Sequence, residues 1–219
     1  MPPRGGSPAI RYRGRGVHED DRQLLQAWRD GDAAAGRRLV ERHFDGMYRF
    51  FANKMSTDVE DLIQETFTAC VENRDRFREE SSFRTYLFGI ARRRLYRYWR
   101  DRKPKLQAET SVHELAESAD SPADRLVAHE EQRLLLRALR TLPLQTQMLL
   151  ELAYFENMTD REAAEVVGIP VGTLKSRLRK GRQLLLEAMQ HMGSRAIAES
   201  TVHGFDTWIA SMRGRWHGD

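Results

Sequence analysis

Residues 159–178 read TDREAAEVVGIPVGTLKSRL, and this stretch decides how the C-terminal part of the chain folds. Thr159 is followed three residues later by Glu162, the spacing of a capping box in which both side chains satisfy free amides at a helix start. A very short helix is expected to follow. It ends at Gly168, which can take the left-handed conformation that a sharp turn requires. A second helix then starts at about Val171, so the stretch predicts a helix-turn-helix motif.

The second helix of this motif is expected to run from Gly172 to Met189 with one apolar side and one polar side. Its polar side carries hydroxyls and cations, which contact base edges and phosphates when such a helix enters the major groove of DNA. The alternative is a solvated amphipathic helix in a bundle, but capping box, glycine turn and basic helix coincide here. The residues predicted to bind DNA are Val171, Thr173, Lys175, Ser176, Arg177, Arg179 and Lys180.

A second cationic segment lies upstream, in a predicted helix that begins after Ser81-Ser82 and ends at Pro104. Between Arg84 and Lys105 the basic residues are opposed only by Asp101. Aromatic residues interleave with the arginines, a composition that offers stacking faces to unpaired bases and cations to phosphates. The residues of this helix that spacing predicts to be buried are Phe83, Leu87 and Ile90.

The region before this segment has apolar residues at three- and four-residue spacing, which predicts helices. Two helices are expected between Gln23 and Asn53, separated by the turn Asp30-Gly31-Asp32. Asp58 is expected to cap a third helix. These three helices and the basic helix predict one compact helical domain.

No stretch has the alternating β-branched pattern of a strand, so the predicted fold class is all-α. Residues 105–125 contain acids, Ser and Pro without a sustained apolar face, which is typical of a flexible linker. The sequence therefore predicts two small helical domains, the second with the helix-turn-helix. The predicted division is a disordered basic arm at 1–20, a first domain at 21–104, the linker at 105–125, a second domain at 126–190 and an extension of unknown role at 191–219.

The C-terminal extension has apolar residues at helical steps, so a short amphipathic helix is an open interpretation. Its aromatic face either packs on the neighbouring domain or serves partner binding or autoinhibition. The residues of this face are Phe205, Trp208, Ile209, Met212 and Trp216.

Composition excludes several classes of protein. The 219 residues carry a formal net charge of +4 and one cysteine, Cys70, which excludes an intramolecular disulfide framework and a multi-cysteine zinc site. No apolar run approaches the roughly 20 residues that span a bilayer, and residues 1–16 lack the apolar core of a signal peptide. We therefore expect a cytoplasmic protein with no membrane insertion, no metal and no cofactor.

Four ordered strings of this sequence resemble the extracytoplasmic-function (ECF) sigma factors of bacterial RNA polymerase. The resemblance spans roughly residues 24–186. It implies two promoter-reading domains, called sigma two and sigma four, with catalysis left to the polymerase, so no catalytic residue is expected. The strings are DVEDLIQETF at 58–67, FREESSFRTYLFGIA at 77–91, LRTLP at 139–143 and GIPVGTLKSRL at 168–178.

The resemblance also implies partners and binding residues. The partners would be core RNA polymerase, promoter DNA and an anti-sigma factor. The third helix would dock on the clamp helices of the large polymerase subunit, since an acidic, amide-bearing face can bind a basic coiled coil. The implied polymerase-binding residues are Asp58, Asp61, Leu62, Gln64 and Glu65. The residues implied to read the minus-ten element are Arg84, Tyr86, Arg92, Arg93, Arg97 and Arg100.

The sequence departs from the family pattern at four positions, which are among the predicted binding residues or next to them. Tyr86 replaces the usual Trp, Arg93 a common Asn and Arg97 a frequent Asp, so base preference cannot be carried over while positive charge is added. Pro170 replaces the usual Ser or Thr at the start of the recognition helix and removes a side-chain cap, for which Thr173 compensates less directly.

Two other functions fit part of the sequence. A self-contained helix-turn-helix regulator with an N-terminal dimerisation or sensing domain explains the C-terminal motif equally well, but not the aromatic and arginine-rich helix. A metal-dependent phosphodiesterase using Asp58, Glu60, Asp61 and Glu65 lacks an accompanying base, phosphate loop or nucleophile. The favoured hypothesis is a sigma factor that is not itself an enzyme.

Overall fold

The computed structural model describes residues 15–109, 130–192 and Ile209, and the elements within these residues are helices and turns. A single 3-10 turn at Arg74–Arg76 and a π-helical turn at Glu151–Phe155 complete them. No strand occurs in the described ranges, so the all-α prediction is confirmed. The helices are α1 (Arg15–Arg29), α2 (Ala33–Ala52), α3 (Val59–Asn73), α4 (Phe83–Glu109), α5 (Glu130–Arg140), α6 (Leu144–Leu150), α7 (Asp160–Val167) and α8 (Val171–His191).

The helix pair α1–α2 forms where the sequence predicts it. Asp32 caps α2, because its carboxylate accepts hydrogen bonds from the amides of Ala34 and Ala35. A buried polar contact also joins the two helices: Oδ1 of Asp21 lies 2.7 Å from Nη1 of Arg42, and Oδ2 lies 2.8 Å from Nε2 of His43. The charge of the buried carboxylate is thereby compensated.

Asp58 occupies the N-cap position of α3, but it does not cap the helix as predicted. Its backbone is left-handed, with φ at 60°, and its side chain makes no capping hydrogen bond. The carboxylate instead accepts hydrogen bonds from the hydroxyl of Tyr98 at 2.9 Å and from Arg102 at 2.5 Å. Asp58 therefore ties the start of α3 to the distal part of α4.

The helix α4 is longer than the sequence predicts, because Pro104 does not end it. A proline removes one amide, which leaves the carbonyl of Arg100 without its helical partner. Arg100 is exposed, so water can satisfy that carbonyl and the helix continues to Glu109. The predicted burial of Phe83, Leu87 and Ile90 is confirmed, and Phe88 and Leu95 are buried as well.

The helices α5–α8 form the second group, and part of their core is their own. This cluster is formed by Leu135, Leu139, Phe155, Leu185 and Met189, which are all buried. Ile209 of the C-terminal extension belongs to the same cluster and is 1% exposed. At this one described position, the extension packs on the second group.

The two groups of helices share a continuous core. Buried side chains of α6, the π turn and α7 join the cluster that includes Phe50, Leu87 and Phe88 of α2 and α4. The helix α7 lies on α4, so the second group sits directly on the first. The members contributed by the second group include Leu136, Met148, Leu149, Leu152, Met158, Ala163, Ala164, Val166 and Val167.

The ends of the predicted divisions fall partly outside the described residues. The helix α1 begins at Arg15, inside the segment predicted as an arm, and residues 1–14 are not described. The helix α4 passes the predicted start of the linker at 105, whose remainder from 110 onward is not described. Of the extension, only His191, Met192 and Ile209 are described, so the predicted face of Phe205, Trp208, Met212 and Trp216 lies outside the described residues apart from Ile209.

Candidate nucleic-acid and polymerase interfaces

The turn between α7 and α8 has the geometry of a helix-turn-helix. The hydroxyl of Thr159 accepts a hydrogen bond from the amide of Glu162, and the Glu162 carboxylate accepts one from the amide of Thr159 at 2.9 Å, which completes the capping box. Gly168 ends α7 with φ at +70°. Pro170 occupies the N-cap position of α8. It makes no capping hydrogen bond, because a proline side chain has no acceptor. The motif predicted from residues 159–178 is therefore present.

The helix α8 turns its predicted DNA-binding side to solvent. Its apolar side is buried through Leu174, Leu185 and Met189. Val171 is 43% exposed, an accessible apolar side chain of the kind that contacts a thymine methyl group. Thr173 is half-buried. The predicted polar residues that lie together on the exposed side are Lys175, Ser176, Arg177, Arg179 and Lys180.

Two neighbouring contacts orient the cations at the start of α8. Nη1 of Arg177 donates a hydrogen bond to Oε1 of Gln145 at 3.0 Å, which links α8 to α6. Nζ of Lys175 lies 4.0 Å from Oδ2 of Asp160 at the start of α7. Both pairs are exposed, so each contributes little to stability and leaves the cation accessible.

The arginines predicted to read the minus-ten element divide into two sets on α4. Arg93, Arg97 and Arg100 are exposed on one side of the helix. Arg97 and Arg100 share the carboxylate of Asp101, at 3.7 and 3.1 Å. These three side chains are therefore accessible to a polyanion.

A cavity of about 520 Å³ opens between α3 and α4 next to the exposed set. Tyr86 lines it and stacks on Phe77, with ring centroids 4.4 Å apart and planes 22° from parallel. The sequence analysis assigned no role to four residues of this cavity, Ala69, Asn73, Arg76 and Arg94. The cluster of arginines around Arg76 was the available signal, but residue spacing alone does not show that it lies next to α4. The lining residues are Ala69, Asn73, Arg76, Tyr86, Ile90, Arg93, Arg94 and Arg97.

The other predicted set, Arg84 and Arg92, faces the second group of helices. Nη2 of Arg84 donates a hydrogen bond to Oε2 of Glu156 at 2.5 Å. The guanidinium of Arg92 lies beside the turn of the helix-turn-helix, where a methyl group added to Gly168 would come within 3.2 Å of Nη1. These two arginines are thus engaged within the protein.

The predicted polymerase-binding residues lie on α3 in different environments. Asp61, Gln64 and Glu65 are exposed and share the solvent side of the helix. Leu62 is 4% exposed, so its expected place on the docking face is wrong: at helical spacing it points into the core beside Ile63.

Two of the acidic residues on α3 have partners on α4. Glu65 accepts a hydrogen bond from Nη1 of Arg94 at 3.3 Å. The hydrogen bond from Tyr98 is the largest cause that holds the pKa of Asp58 below its usual value, and Arg102 adds to it. Asp58 therefore stays ionised and held against α4.

Family comparisons agree with this two-part architecture. Residues 39–105 match the model of sigma-70 region 2, and residues 132–185 match that of sigma-70, region 4. The ECF RNA polymerase sigma factor SigF of Caulobacter vibrioides is 34% identical over 166 residues, which cover 74% of this chain and 89% of that protein. This chain is an ECF sigma factor. The ECF RNA polymerase sigma-E factor of Haemophilus influenzae is 26% identical over 180 residues, with 78% of this chain and 95% of that protein covered.

Solved structures share the fold of this ECF sigma factor. The sigma factor RpoE of Bartonella quintana, in complex with the anti-sigma factor NepR, aligns with a TM-score of 0.59 at 24% identity, over 70% of this chain and 96% of that one. CnrH in complex with the cytosolic domain of CnrY also aligns with a TM-score of 0.59, at 23% identity, over 78% and 98% of the two chains.

Membership of the family fixes the function at the level of the whole chain. The protein binds core RNA polymerase and directs promoter-specific initiation of transcription. The alternative of a self-contained regulator is not favoured, because the match includes the first domain as well as the helix-turn-helix. Sigma factors are not a class of enzyme. Within residues 15–109 and 130–192, no helix is both long and apolar enough to cross a membrane.

Proposed function

We propose that this sigma factor docks on core polymerase through the exposed side of α3 and reads two promoter elements through α4 and α8. The observation that carries the proposal is the division of α8 into a buried apolar side and an exposed cationic side at the turn of a helix-turn-helix. The remaining assignments follow from the exposure of the matching residues on α3 and α4.

Recognition of the upstream element is assigned to α8. Lys175, Ser176 and Arg177 occupy the N-terminal part of the helix, which in such motifs contacts base edges in the major groove. Arg179 and Lys180 follow on the exposed side and suit phosphate contacts. Val171 and Thr173 complete the set, the first as an apolar contact to a methyl group and the second as a hydrogen-bonding group.

Recognition of the minus-ten element is assigned to α4 and the adjoining cavity. Strand opening releases bases from the stack, and proteins bind such bases with aromatic faces and cations. Tyr86, Arg93 and Arg97 line a cavity of about 520 Å³, and Arg100 continues the cationic side of the helix. Arg84 and Arg92 join this surface once their contacts with the second domain are broken.

Docking on the polymerase is assigned to Asp61, Gln64 and Glu65. Their exposed acidic and amide groups favour a basic partner surface by charge complementarity. Asp58 belongs to this set through its position at the start of α3, and its bonds to Tyr98 and Arg102 fix how that helix meets α4.

The deciding experiment is in vitro transcription with purified core polymerase that lacks sigma, on fragmented genomic DNA, with RNA starts mapped with and without this chain. New starts that share two spaced upstream motifs are expected and would reveal the promoter. The absence of new starts, together with specific DNA binding without the core, would contradict the assignment.

Variants then test the residues. Lys175→Ala with Arg177→Ala is expected to weaken binding to the upstream element and to lower the salt dependence of promoter binding. Arg37→Ala with Arg38→Ala removes the same charge from the exposed side of α2 and serves as the control. Equal losses in the two double variants would mean that only net charge matters and that α8 has no special role.

The docking assignment has its own pair of variants. Asp61→Ala with Gln64→Ala is expected to lower affinity for the core without changing the fold, whereas Glu41→Ala on the exposed side of α2 leaves affinity unchanged. Unchanged core affinity in the double variant, measured by fluorescence titration, would contradict the docking role of α3.

The proposal extends to an anti-sigma partner and to the cytoplasm as the site of action. Two of the similar solved structures contain a bound partner, the anti-sigma factor NepR in one and the cytosolic domain of CnrY in the other. A factor that acts on DNA and polymerase works where these are found. Affinity purification of the tagged chain from its own cells, under conditions of low activity, is expected to recover a partner that inhibits transcription in the purified system.

A further inference from the structure

The helix-turn-helix packs on α4 in this structure, through α7 and the turn that follows it. Gly168 lies beside Arg92 of α4, and α8 begins three residues later at Val171. Elements centred near minus ten and minus thirty-five are about 25 base pairs apart, or about 85 Å at 3.4 Å per base pair. A helix-turn-helix that packs on α4 cannot reach the upstream element while α4 lies on the other one. The arrangement described here, which we call the closed form, is therefore unable to read a complete promoter.

A buried ion pair joins the two domains in the closed form. Lys54, two residues after the end of α2, has a fully buried side chain whose ammonium group binds the carboxylate of Glu151 in the π turn. The same ammonium group donates a hydrogen bond to the carbonyl of Phe50 at 2.7 Å and lies 4.0 Å from the centre of that ring. Gln147 bonds the other carboxylate oxygen at 3.3 Å.

Three further polar contacts join the two domains. Arg84 binds Glu156, which is itself buried. The hydroxyl of Ser82 donates a hydrogen bond to Oε1 of Glu162 at 3.1 Å. On the other side, Nε2 of Gln147 donates a hydrogen bond to the carbonyl of Asn53 at 3.0 Å. All of these contacts connect the first domain to the second.

This pair controls the stability of the closed form. If either side chain is removed, the remaining one has no other charged protein group within hydrogen-bond distance among the described residues. A buried charge that loses its partner is strongly unfavourable, whereas a matched pair replaced by two apolar side chains is often neutral. Burial lowers the pKa of Lys54 and raises that of Glu151, and their mutual attraction opposes both shifts. Removal of one partner therefore favours opening, which hydrates the other.

The polymerase-binding side of α3 remains accessible in the closed form. Asp61, Gln64 and Glu65 are exposed and make no contact with the second domain among the described interactions. Core polymerase can therefore dock on the first domain before the second domain moves. The order of events that follows is docking, opening and then promoter binding.

We propose that this sigma factor is autoinhibited by its own second domain, with the Lys54–Glu151 pair as the latch that core polymerase must open. The proposal rests on the assignment of DNA reading to α4 and α8. Its test therefore begins with a measurement that involves neither DNA nor polymerase.

Energy transfer between two dyes measures the closed form directly. Cysteines introduced by Glu72→Cys and Gln183→Cys are exposed on α3 and α8, while native Cys70 is buried and does not compete for label. High transfer is expected for the otherwise native chain. Lys54→Met and Glu151→Leu are each expected to lower transfer, and the two together to restore it.

The matched control is Glu165→Leu, which removes an exposed carboxylate from α7 and leaves transfer unchanged. Transfer that is low in the native chain, or unchanged in both single variants, would overturn the latch. Cross-linking keeps the test valid if a single variant fails to fold.

For that test, Ser82→Cys and Glu162→Cys are joined by a short bis-maleimide that a reductant can cleave. The joined chain is expected to support at least tenfold less transcription with core polymerase, and cleavage is expected to restore it. Equal transcription before and after cleavage would overturn autoinhibition. If joining abolishes transcription but the Lys175 and Arg177 variants bind promoter normally, the autoinhibition stands and the assignment of α8 fails.

Discussion

Nη2 of Arg84 and Oε2 of Glu156 lie 2.5 Å apart, so a residue that the sequence assigns to DNA binding is paired with a carboxylate of the second domain. Arg49 adds a second cation, with Nε 3.9 Å from Oε1 of Glu156. Glu156 thus neutralises charge on the first domain that a phosphate would otherwise meet. Under the proposed assignment of Arg84 to DNA, the second domain competes with promoter DNA for this arginine.

Replacement of this carboxylate is expected to weaken the closed form. Glu156→Gln keeps the shape of the side chain but removes its charge, and hydrogen bonds to charged groups contribute about 1.5–3 kcal/mol. We expect the urea midpoint to fall by a corresponding amount. Glu165→Gln, an exposed change on α7, is the control. A midpoint equal to that of the native chain would mean that the Arg84 contact adds nothing to stability.

Gly168 is expected to tolerate no side chain. Its φ is +70°, and an added methyl group would press within 3.2 Å of Arg92. Gly168→Ala should therefore cost about 1–2 kcal/mol in backbone strain alone and loosen the contact with α4. Thermal unfolding of the full chain measures this.

The chain offers a matched glycine four residues later. Gly172 lies in the first turn of α8, where an added methyl group meets nothing within 4 Å. Gly172→Ala is expected to be neutral or to stabilise by about 0.4–1 kcal/mol, since it restricts the unfolded chain. A loss as large as that of Gly168→Ala would show that the turn is not the sensitive point.

Acid is expected to weaken the contact of Asp21 with α2. Burial raises the pKa of this carboxyl group, but the hydrogen bonds from His43 and Arg42 outweigh it and hold the pKa below its usual value. The stabilisation is therefore complete above the unfolded-state pKa of about 3.9 and is lost as the pH falls through the folded-state value.

The variant Asp21→Asn isolates this effect. It should lower stability by about 1–3 kcal/mol at neutral pH, and its difference from the native chain should shrink as the pH falls below about 4. Urea unfolding at several pH values measures both. Asp45→Asn, exposed on α2, should show no such convergence. A constant difference across the pH range would contradict the ionised state of Asp21.

Cys70 is expected to be unreactive in the folded chain. Burial raises the pKa of its thiol to about 12, so the thiolate that reacts with alkylating agents is scarce near neutral pH. Iodoacetamide should modify the thiol in urea and leave it largely unmodified in buffer, as mass spectrometry would show. Equal rates in the two conditions would mean that α3 does not bury this side chain.

The helix-turn-helix could be predicted because its determinants are local. Thr159, Glu162 and Gly168 specify one helix start and one helix end within ten residues, and the structure has both. Other features of the fold depend on contacts between residues that are far apart in the sequence. Asp58 has the residue type of a cap, but Tyr98 and Arg102 on α4 draw its carboxylate away.

The packing of the two domains could not be predicted for the same reason. Lys54 and Glu151 are 97 positions apart, and each alone has the character of a surface residue. Arg84 and Arg92 likewise belong to a basic segment whose composition predicts exposure to solvent and contact with DNA. Only the arrangement of α7 on α4 makes them internal contacts. The cavity beside Tyr86 has the same origin, since its lining residues come from α3, the 3-10 turn and α4.

The continuous core described above has a consequence for how long the factor survives in a cell. When the domains separate, side chains such as Met148, Leu149 and Leu152 lose their cover from the first domain and become accessible to water. Proteases act on such transiently opened states in proportion to their population. We therefore expect proteases to cleave an open molecule that holds no polymerase faster than a closed one, so that core polymerase protects the factor it binds.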